Sequence, residues 1–396
     1  MRIAIFHDYL NQFGGAERVL KVLLSLFPKA HLYTLLYDKN KTFEIFDGNI
    51  KKTSFLDKPF VRNNHRMFIP LMPFASQKMR VKNDYDLVIS STAGYAKGFG
   101  FNRGHSHRYR HSSDSDRPFH ISYCHSPLRY AWEIDYLKNQ SFAPNALSRS
   151  IAIPIARWLR NWDKSAAQNV NLFVANSDFI ARKIKNYYGR ESLIVYPPVD
   201  SKKFYYESKV QNLPPTTYHL QPTTYNLQPK TYYLMVGRLL YYKNFDLGIK
   251  AFNKLRKPLK IIGSGPEMFK LKSIANPVYI EFIPFVDDAE LKSFYNNAKA
   301  LIFPQVEDFG LVAAEAQSCG LPVIAFNQGG TCEIVKNKET GLFFNEQKPE
   351  AIIEAVKIFE NMNFNREKIA EIAVRFSEER FKNEFMSIVR NSGYDV

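Results

Sequence analysis

The chain opens with the apolar run of RIAIFHDYL, which reads as a strand. The following GGAERVLKVLLSLF places Val19, Leu20, Val22, Leu23, Leu26 and Phe27 at helical spacing. Further on, YDLVISST (85–92), HISYCHSP (120–127) and NLFVANS (171–177) are short apolar strands ending in small or polar residues, with helical patterns between them. SLIVYPPVD (192–200) reads as a last strand running into a turn. The second half follows the same pattern. In it YYLMVGRL, LKIIGSG, PVYIEFIPFV, AKALIFPQ and LPVIAF are strand-like, and helical stretches separate them. Strands alternating with helices predict parallel sheets covered on both faces. The expected layout is a first domain over 1–200, a linker over 201–230, a second domain over 231–375 and a final helical segment over 376–396.

The linker contains PTTYHLQ, PTTYNLQ and PKTYYL in succession over 215–234. A proline every seven residues forbids a coiled coil, so the repeat reads as a duplicated, mobile insertion. The stretch 100–117 is polar and His-rich. His105, His107 and His111 lack an acidic or cysteine ligand to complete a metal set, so it reads as a solvated loop, and no metal is expected.

Composition narrows the picture. A chain of 396 residues, 45% hydrophobic and 23% charged, has room for two cores and is neither disordered nor disulfide-stapled. Cys124, Cys319 and Cys332 lie far apart and suit a reducing compartment. No signal peptide or spanning helix is expected, which points to the cytoplasm. The charge is basic: 54 Lys and Arg against 38 Asp and Glu give +16. Residues 1–200 hold 29 of those cations and 16 of the acids, so the first half carries nearly all the surplus and should attract an anionic partner.

Three stretches carry candidate chemistry. Gly14-Gly15 follows the first strand and opens a helix, where free N–H groups can meet a phosphate; a plain strand-to-helix turn is the alternative. In YLMVGRLLYYKNFDLGIKAF, a strand ends in Gly237-Arg238, and Lys243 lies five residues on. Two cations at a strand's carboxyl end can clamp a diphosphate and neutralise it as it leaves; two solvated surface cations are the alternative. In VEDFGLVAAEAQSCGLPVIAF, Glu307 sits in a loop and Glu315 lies on the buried side of an alanine-rich helix that Phe309-Gly310-Leu311 begins. Carboxylates in such places can accept hydrogen bonds from sugar hydroxyls. A buried Glu among alanines is costly without a partner, which favours a ligand role for Glu315.

Together with the strand end His125-Ser126-Pro127, these elements resemble glycosyltransferase family 4, the group 1 set of GT-B enzymes. VANSDFIARKI, VYPPVD, IIGSGPE and GGTCEIV…GLFF support the likeness, which covers nearly the whole chain. HDYL…GGAERV, YCHSPLRYAW and RNWDKSAAQNVNLFVANS are similar to bacterial surface-polysaccharide members, including mannosyltransferases. The resemblance implies two Rossmann-like, doubly wound parallel-sheet domains facing across a cleft. The second binds a nucleotide-diphosphate sugar, and the first binds a glycan or lipid-linked acceptor. It implies a retaining transfer of a hexose without metal or other cofactor, and a last helix (376–389) that returns to the first domain. Arg238 and Lys243 would hold the diphosphate. Glu307 would bind the sugar, near the amides of Phe309, Gly310 and Leu311, and Glu315 the ribose. Gly15 would approach the β-phosphate and His125 the sugar's reacting face. Phe285-Val286 would contact the base. For His125, a packed hydrogen-bonded role at a strand end is the alternative.

Residues 60–82 interleave Arg62, Arg66, Lys78, Arg80 and Lys82 with large apolar residues, and 149–164 mix Arg157 and Arg160 with Ile155, Trp158 and Trp162. Such faces suit the inner surface of an anionic membrane, unless their apolar members are core. A different GT-B enzyme (an epimerase or phosphorylase) and a nucleic-acid binder are the competing readings. The latter lacks any RRM, KH or helix-turn-helix signature.

Overall fold

A computed structural model of the chain describes residues 1–80, 85–100, 118–133, 146–207 and 231–394. The His-rich stretch 101–117 and the repeat up to residue 230 lie outside the described residues. The chain divides into two compact units, Met1–Pro198 with Phe381–Val396, and Val199–Arg380.

The first unit is built on seven parallel strands: β1 (Ile3–Leu10), β2 (His31–Tyr37), β3 (Ile50–Thr53), β4 (Leu87–Thr92), β5 (Phe119–Cys124), β6 (Leu172–Ala175) and β7 (Ser192–Ile194). Their order is β3-β2-β1-β4-β5-β6-β7. Successive side chains of β1 point to opposite faces, and each face has its own core. Ile3 and Ile5 pack with Leu20 and Leu23 of the helix Gly15–Leu26, whereas Ala4 and Phe6 pack with Tyr33, Met72, Phe99 and Leu159. Burial on both faces explains why β1 and β4 read as near-continuous apolar runs. β2 and β3 were not among the strands expected from the sequence. In HLYTLLY the same two-sided burial gives neither a period-2 pattern nor a flanking glycine, and β3 is a four-residue edge.

The helix Glu378–Asn391 ends the fold. Its Phe381, Phe385, Ile388 and Val389 belong to the same core cluster as Ile3, Ile5 and Leu23. Phe381 and Phe385 also pack edge-on to Tyr123 of β5, with centroids 5.6 and 6.3 Å away.

The second unit holds six parallel strands: β8 (Tyr233–Val236), β9 (Leu259–Ile262), β10 (Ile280–Ile283), β11 (Leu301–Phe303), β12 (Val323–Phe326) and β13 (Gly341–Phe344), in the order β10-β9-β8-β11-β12-β13. Both units are therefore doubly wound Rossmann-like sheets, the α/β class expected of a GT-B chain. In each, the chain starts at a central strand, fills one side and then crosses to the other. The crossing leaves a crevice at the carboxyl ends of β1 and β4 in the first unit, and of β8 and β11 in the second. Open parallel sheets bind ligands at such switch points.

The described part of the 60–82 segment, 60–80, divides between core and surface, and Phe55 stands beside it. Val61, Ile69, Met72 and Met79 are core, but Phe55, Phe60, Met67, Leu71 and Phe74 are exposed. In the helix Ala146–Ala167, Ala156, Leu159 and Trp162 are buried, while Ile153 and Trp158 face outward. In both segments the apolar residues are thus divided between core and surface, and Lys82 lies outside the described residues. Among the described residues, no helix is long and apolar enough to cross a membrane.

Candidate functional site

At the switch point of the second unit, backbone crosses backbone at glycines. Gly237 follows β8 with φ +147°, and its N–H donates to the Ile262 carbonyl at 3.0 Å. Gly263 follows β9 with φ +143°, and a Cβ there would lie 2.0 Å from the Gly237 carbonyl oxygen. Only glycine allows this approach. A short 3-10 turn, Tyr241–Lys243, then carries Lys243 back over the crossing, to within 3.9 Å of where a Gly237 Cβ would stand.

The loop after β11 supplies the partner. The Lys243 ammonium donates to Glu307 Oε1, and both side chains are about five-sixths buried. The Glu307 carbonyl accepts from the Gly330 N–H at 2.9 Å. A Cβ on Gly330 would meet the Asp308 carbonyl oxygen at 2.4 Å, and one on Gly329 the Glu307 carbonyl oxygen at 2.6 Å. The loop after β12 is therefore a mould for the Glu307 loop. Gly310, at φ +105°, starts the helix Leu311–Ser318, whose free N–H groups open beside that loop.

Glu315 lies in the second turn of this helix and is 5% exposed; Tyr295 Oη reaches its Oε2 at 3.5 Å. The Arg366 guanidinium fixes the helix's far end by donating to the carbonyls of Gly320, Ala298, Tyr295 and Cys319. Burial beside Glu315 pushes the Cys319 thiol far above its ordinary value, so it stays protonated. Arg238 is exposed at the mouth of the β8 loop. The Phe309 side chain packs against Phe376, with centroids 5.5 Å apart, so only its backbone is available to a ligand. Phe285 and Val286 lie two and three residues past the end of β10, Phe285 exposed and Val286 buried. β10 is the edge strand of this sheet, two places from β8.

The first unit's switch point gathers a second set. Gly15 is the first residue of its helix, and the Gly14 N–H donates to Glu17 Oε2 at 2.7 Å, closing the helix start. Glu17 Oε1 stands 3.6 Å from His7 Nε2, which is ion-pair reach rather than a hydrogen bond. His7 Nδ1 and His125 Nε2 share one hydroxyl, Ser91 Oγ, at 3.0 and 2.8 Å. His125 follows β5; its carbonyl accepts from Asn176 Nδ2 at 3.0 Å, and its N–H donates to the Thr92 carbonyl at 2.7 Å. Next to His7, the buried Asp8 carboxylate accepts from the amides of Ala93, Tyr95 and Ala96 at 2.6, 2.9 and 2.5 Å. Burial pushes the Asp8 carboxyl up, and the neighbouring His7 and amides oppose the shift. Lys97 reaches both the Gly94 carbonyl and the buried Asp163, whose other oxygen accepts from Trp132 and Tyr188.

Sequence reading found Gly14, Gly15 and His125, but not His7, Asp8, Ser91 or Glu17. One signal was available: polar residues at the carboxyl ends of two otherwise apolar strands, HD in IFHDYL and SST in VISST. Among the described residues, no three His, Cys, Asp or Glu side chains cluster so as to hold a metal ion.

Residues 223–376 match the family model described as Glycosyl transferases group 1. An uncharacterized glycosyltransferase of Haemophilus influenzae is 34% identical over 139 residues, covering 32% of this chain and 39% of that protein. A D-inositol 3-phosphate glycosyltransferase of Paenarthrobacter aurescens is 28% identical over 227 residues, covering 52% of each. The chain thus spans between about a third and a half of the curated relatives it matches. Among solved structures, Anabaena HepE in complex with UDP aligns with TM-score 0.66 and 16% identity over 99% of this chain and 100% of that one. Sucrose-phosphate synthase of Thermosynechococcus elongatus aligns with TM-score 0.67 and 17% identity over 98% and 99%. These likenesses show the fold.

Proposed function

We propose that this chain, whose residues 223–376 match the model of Glycosyl transferases group 1, moves a hexose from a nucleoside-diphosphate sugar to a glycan or lipid-linked acceptor, with retention at the anomeric carbon and no metal. The observation that carries this reading is the meeting of Lys243, Glu307 and the start of the helix Leu311–Ser318 at the β8/β11 switch point. A cation, a sugar-binding carboxylate and free helix amides are what a sugar diphosphate requires. The UDP complex of the HepE neighbour supports a nucleoside-diphosphate donor.

In the transfer, the bond from the anomeric carbon to the diphosphate oxygen breaks. The acceptor oxygen bonds to that carbon, and its proton leaves with the diphosphate. Lys243 and Arg238 stabilise the charge that grows on the departing diphosphate, and the helix amides add to it. In the structure Lys243 is held by Glu307, so an arriving diphosphate competes for that ammonium while hexose hydroxyls take up the carboxylate. Glu315 serves the ribose. The acceptor belongs to the first unit. Mannose, carried on GDP, is the favoured sugar because the N-terminal motifs resemble surface-polysaccharide mannosyltransferases, and polysaccharide synthesis at the inner membrane face is the proposed setting.

A specific surface supports that setting. Phe55, Phe60, Met67, Leu71 and Phe74 are exposed among Lys58, Arg66, Lys78 and Arg80. The Lys78 ammonium lies 4.5 Å over the Phe74 ring. An apolar face rimmed by cations fits an anionic bilayer.

A thermal-shift screen of the full chain with UDP, GDP and ADP and their sugars, followed by transfer assays with and without EDTA, tests the reading. The expected result is stabilisation by one nucleoside diphosphate and EDTA-insensitive transfer of its sugar. Failure of every nucleotide to bind refutes it, and sugar conversion without an acceptor replaces it with an epimerase. Vesicles of phosphatidylcholine with and without phosphatidylglycerol test the surface: sedimentation with neither removes the membrane.

A further inference from the structure

We propose that His125 is locked as its Nε2–H tautomer by a one-way chain that starts at the glycine turn, and that Glu17, His7 and Ser91 are positioning residues acting through it. The four side chains are nearly or fully buried: Ser91 is 0%, His7 2%, Glu17 3% and His125 9% exposed. His7 and Ser91 are register partners on β1 and β4, so the sheet itself sets their contact.

The polarity follows from one electrostatic preference, at His7, and then from donors and acceptors. The Glu17 carboxylate only accepts. One of its oxygens takes the Gly14 N–H, and the other faces His7 Nε2. A carboxylate 3.6 Å away favours the proton on that nitrogen. With its single ring proton there, His7 presents the Nδ1 lone pair, and the Ser91 hydroxyl donates to it. Having given its one proton, Ser91 Oγ can only accept from His125 Nε2, which therefore carries the hydrogen. The lone pair of His125 rests on Nδ1. The carboxylate of the glycine-turn helix thus sets the proton position on a ring it does not touch. Fixing a histidine's tautomer through the bond at its other nitrogen is a general device.

The chain predicts an inversion. In Glu17→Gln the side chain keeps its shape but gains a donor. Gly14 N–H holds the amide oxygen, so an NH2 replaces the carboxylate oxygen beside His7 Nε2 and disfavours a proton on that nitrogen. His7 becomes Nδ1–H and donates to Ser91, whose hydroxyl donates to His125 Nε2. The His125 proton moves to Nδ1.

The test is nitrogen NMR of the full chain carrying ring-15N histidine, near pH 8, above the ordinary histidine pKa of about 6.5. The His125 signals are assigned with His125→Gln. The wild type should show His125 protonated at Nε2, and Glu17→Gln at Nδ1. Ser91→Ala should uncouple the ring, so that adding Glu17→Gln to it changes nothing further. A wild-type Nδ1–H ring overturns the proposal without recourse to any variant, and so does a Glu17→Gln protein whose His125 remains Nε2–H. The functional consequence rests on the transferase reading: Glu17→Gln should lower kcat by at least about tenfold while the donor KM stays within about twofold. Absence of wild-type turnover with every donor sinks that reading but leaves the NMR result to stand or fall by itself. A Glu17→Gln enzyme with the inverted tautomer and unchanged kcat removes the functional role.

Discussion

At the residue scale, a partly buried ion pair and a buried histidine dominate. Lys243 and Glu307 neutralise each other at the switch point, and neither is well solvated. Arg238→Ala and Glu307→Ala should leave a folded chain whose transfer falls by about 10²–10³, the usual loss when a group facing developing charge is removed. Near-normal turnover of both with the true donor would take the site away from these residues. Lys243→Met has a second effect. It strands Glu307, and should cost about 1–3 kcal/mol in urea unfolding, an amount Lys243→Met/Glu307→Gln should partly restore. His120 supplies a pH prediction. Burial pushes its pKa from 6.5 down to about 3, while Ser90 Oγ holds its Nε2 at 2.8 Å. The unfolded chain binds a proton near pH 6.5 that the folded chain refuses until about pH 3. The contribution is therefore complete above pH 6.5 and is lost as pH falls through that window, by about 1.4 kcal/mol per unit. His120→Gln should flatten the stability profile between pH 6.5 and about 5, where carboxylates titrate little. An unchanged slope would contradict the assignment.

At the element scale, loops cross at glycines, and their precision comes from the absence of a Cβ. Gly330→Ala would put a methyl 2.4 Å from the Asp308 carbonyl oxygen, backbone that can yield only by moving the Glu307 loop. The expected outcome is a stability loss of about 1–3 kcal/mol with a larger loss of transfer than Gly189→Ala. Gly189 caps the helix Asp178–Tyr188 at φ +68° with open space around it. Equal effects of the two changes on transfer would deny the mould. Most elements were legible because apolar runs of strand length alternate with amphipathic helices. β2 and β3 were not. Two-sided burial erases the alternation that marks a strand, and an edge of four residues has too little pattern to read. His7, Ser91 and Glu17 escaped notice for a related reason: each is a polar residue of ordinary type, and only the parallel pairing of β1 with β4 makes neighbours of positions 84 residues apart.

At the scale of the whole molecule, the chain is two units with separate cores, and its last helix is part of the core of the first. Phe385→Ala should cost the first unit about 3–5 kcal/mol. Calorimetry should show one of two transitions moving down while the other holds. A uniform shift of both would mean that the units unfold together. The amino-acid order determined the alternation that makes two parallel sheets, the basic bias of the first half, and the cations, carboxylates and glycines at strand ends, because each follows from local spacing and side-chain chemistry. Tertiary structure alone decided which strand ends meet, that Lys243 closes on Glu307, and that a carboxylate on one helix reaches His125 through a histidine and a serine. Those contacts depend on strand order and register, which bring together residues with no mark of each other in the linear chain.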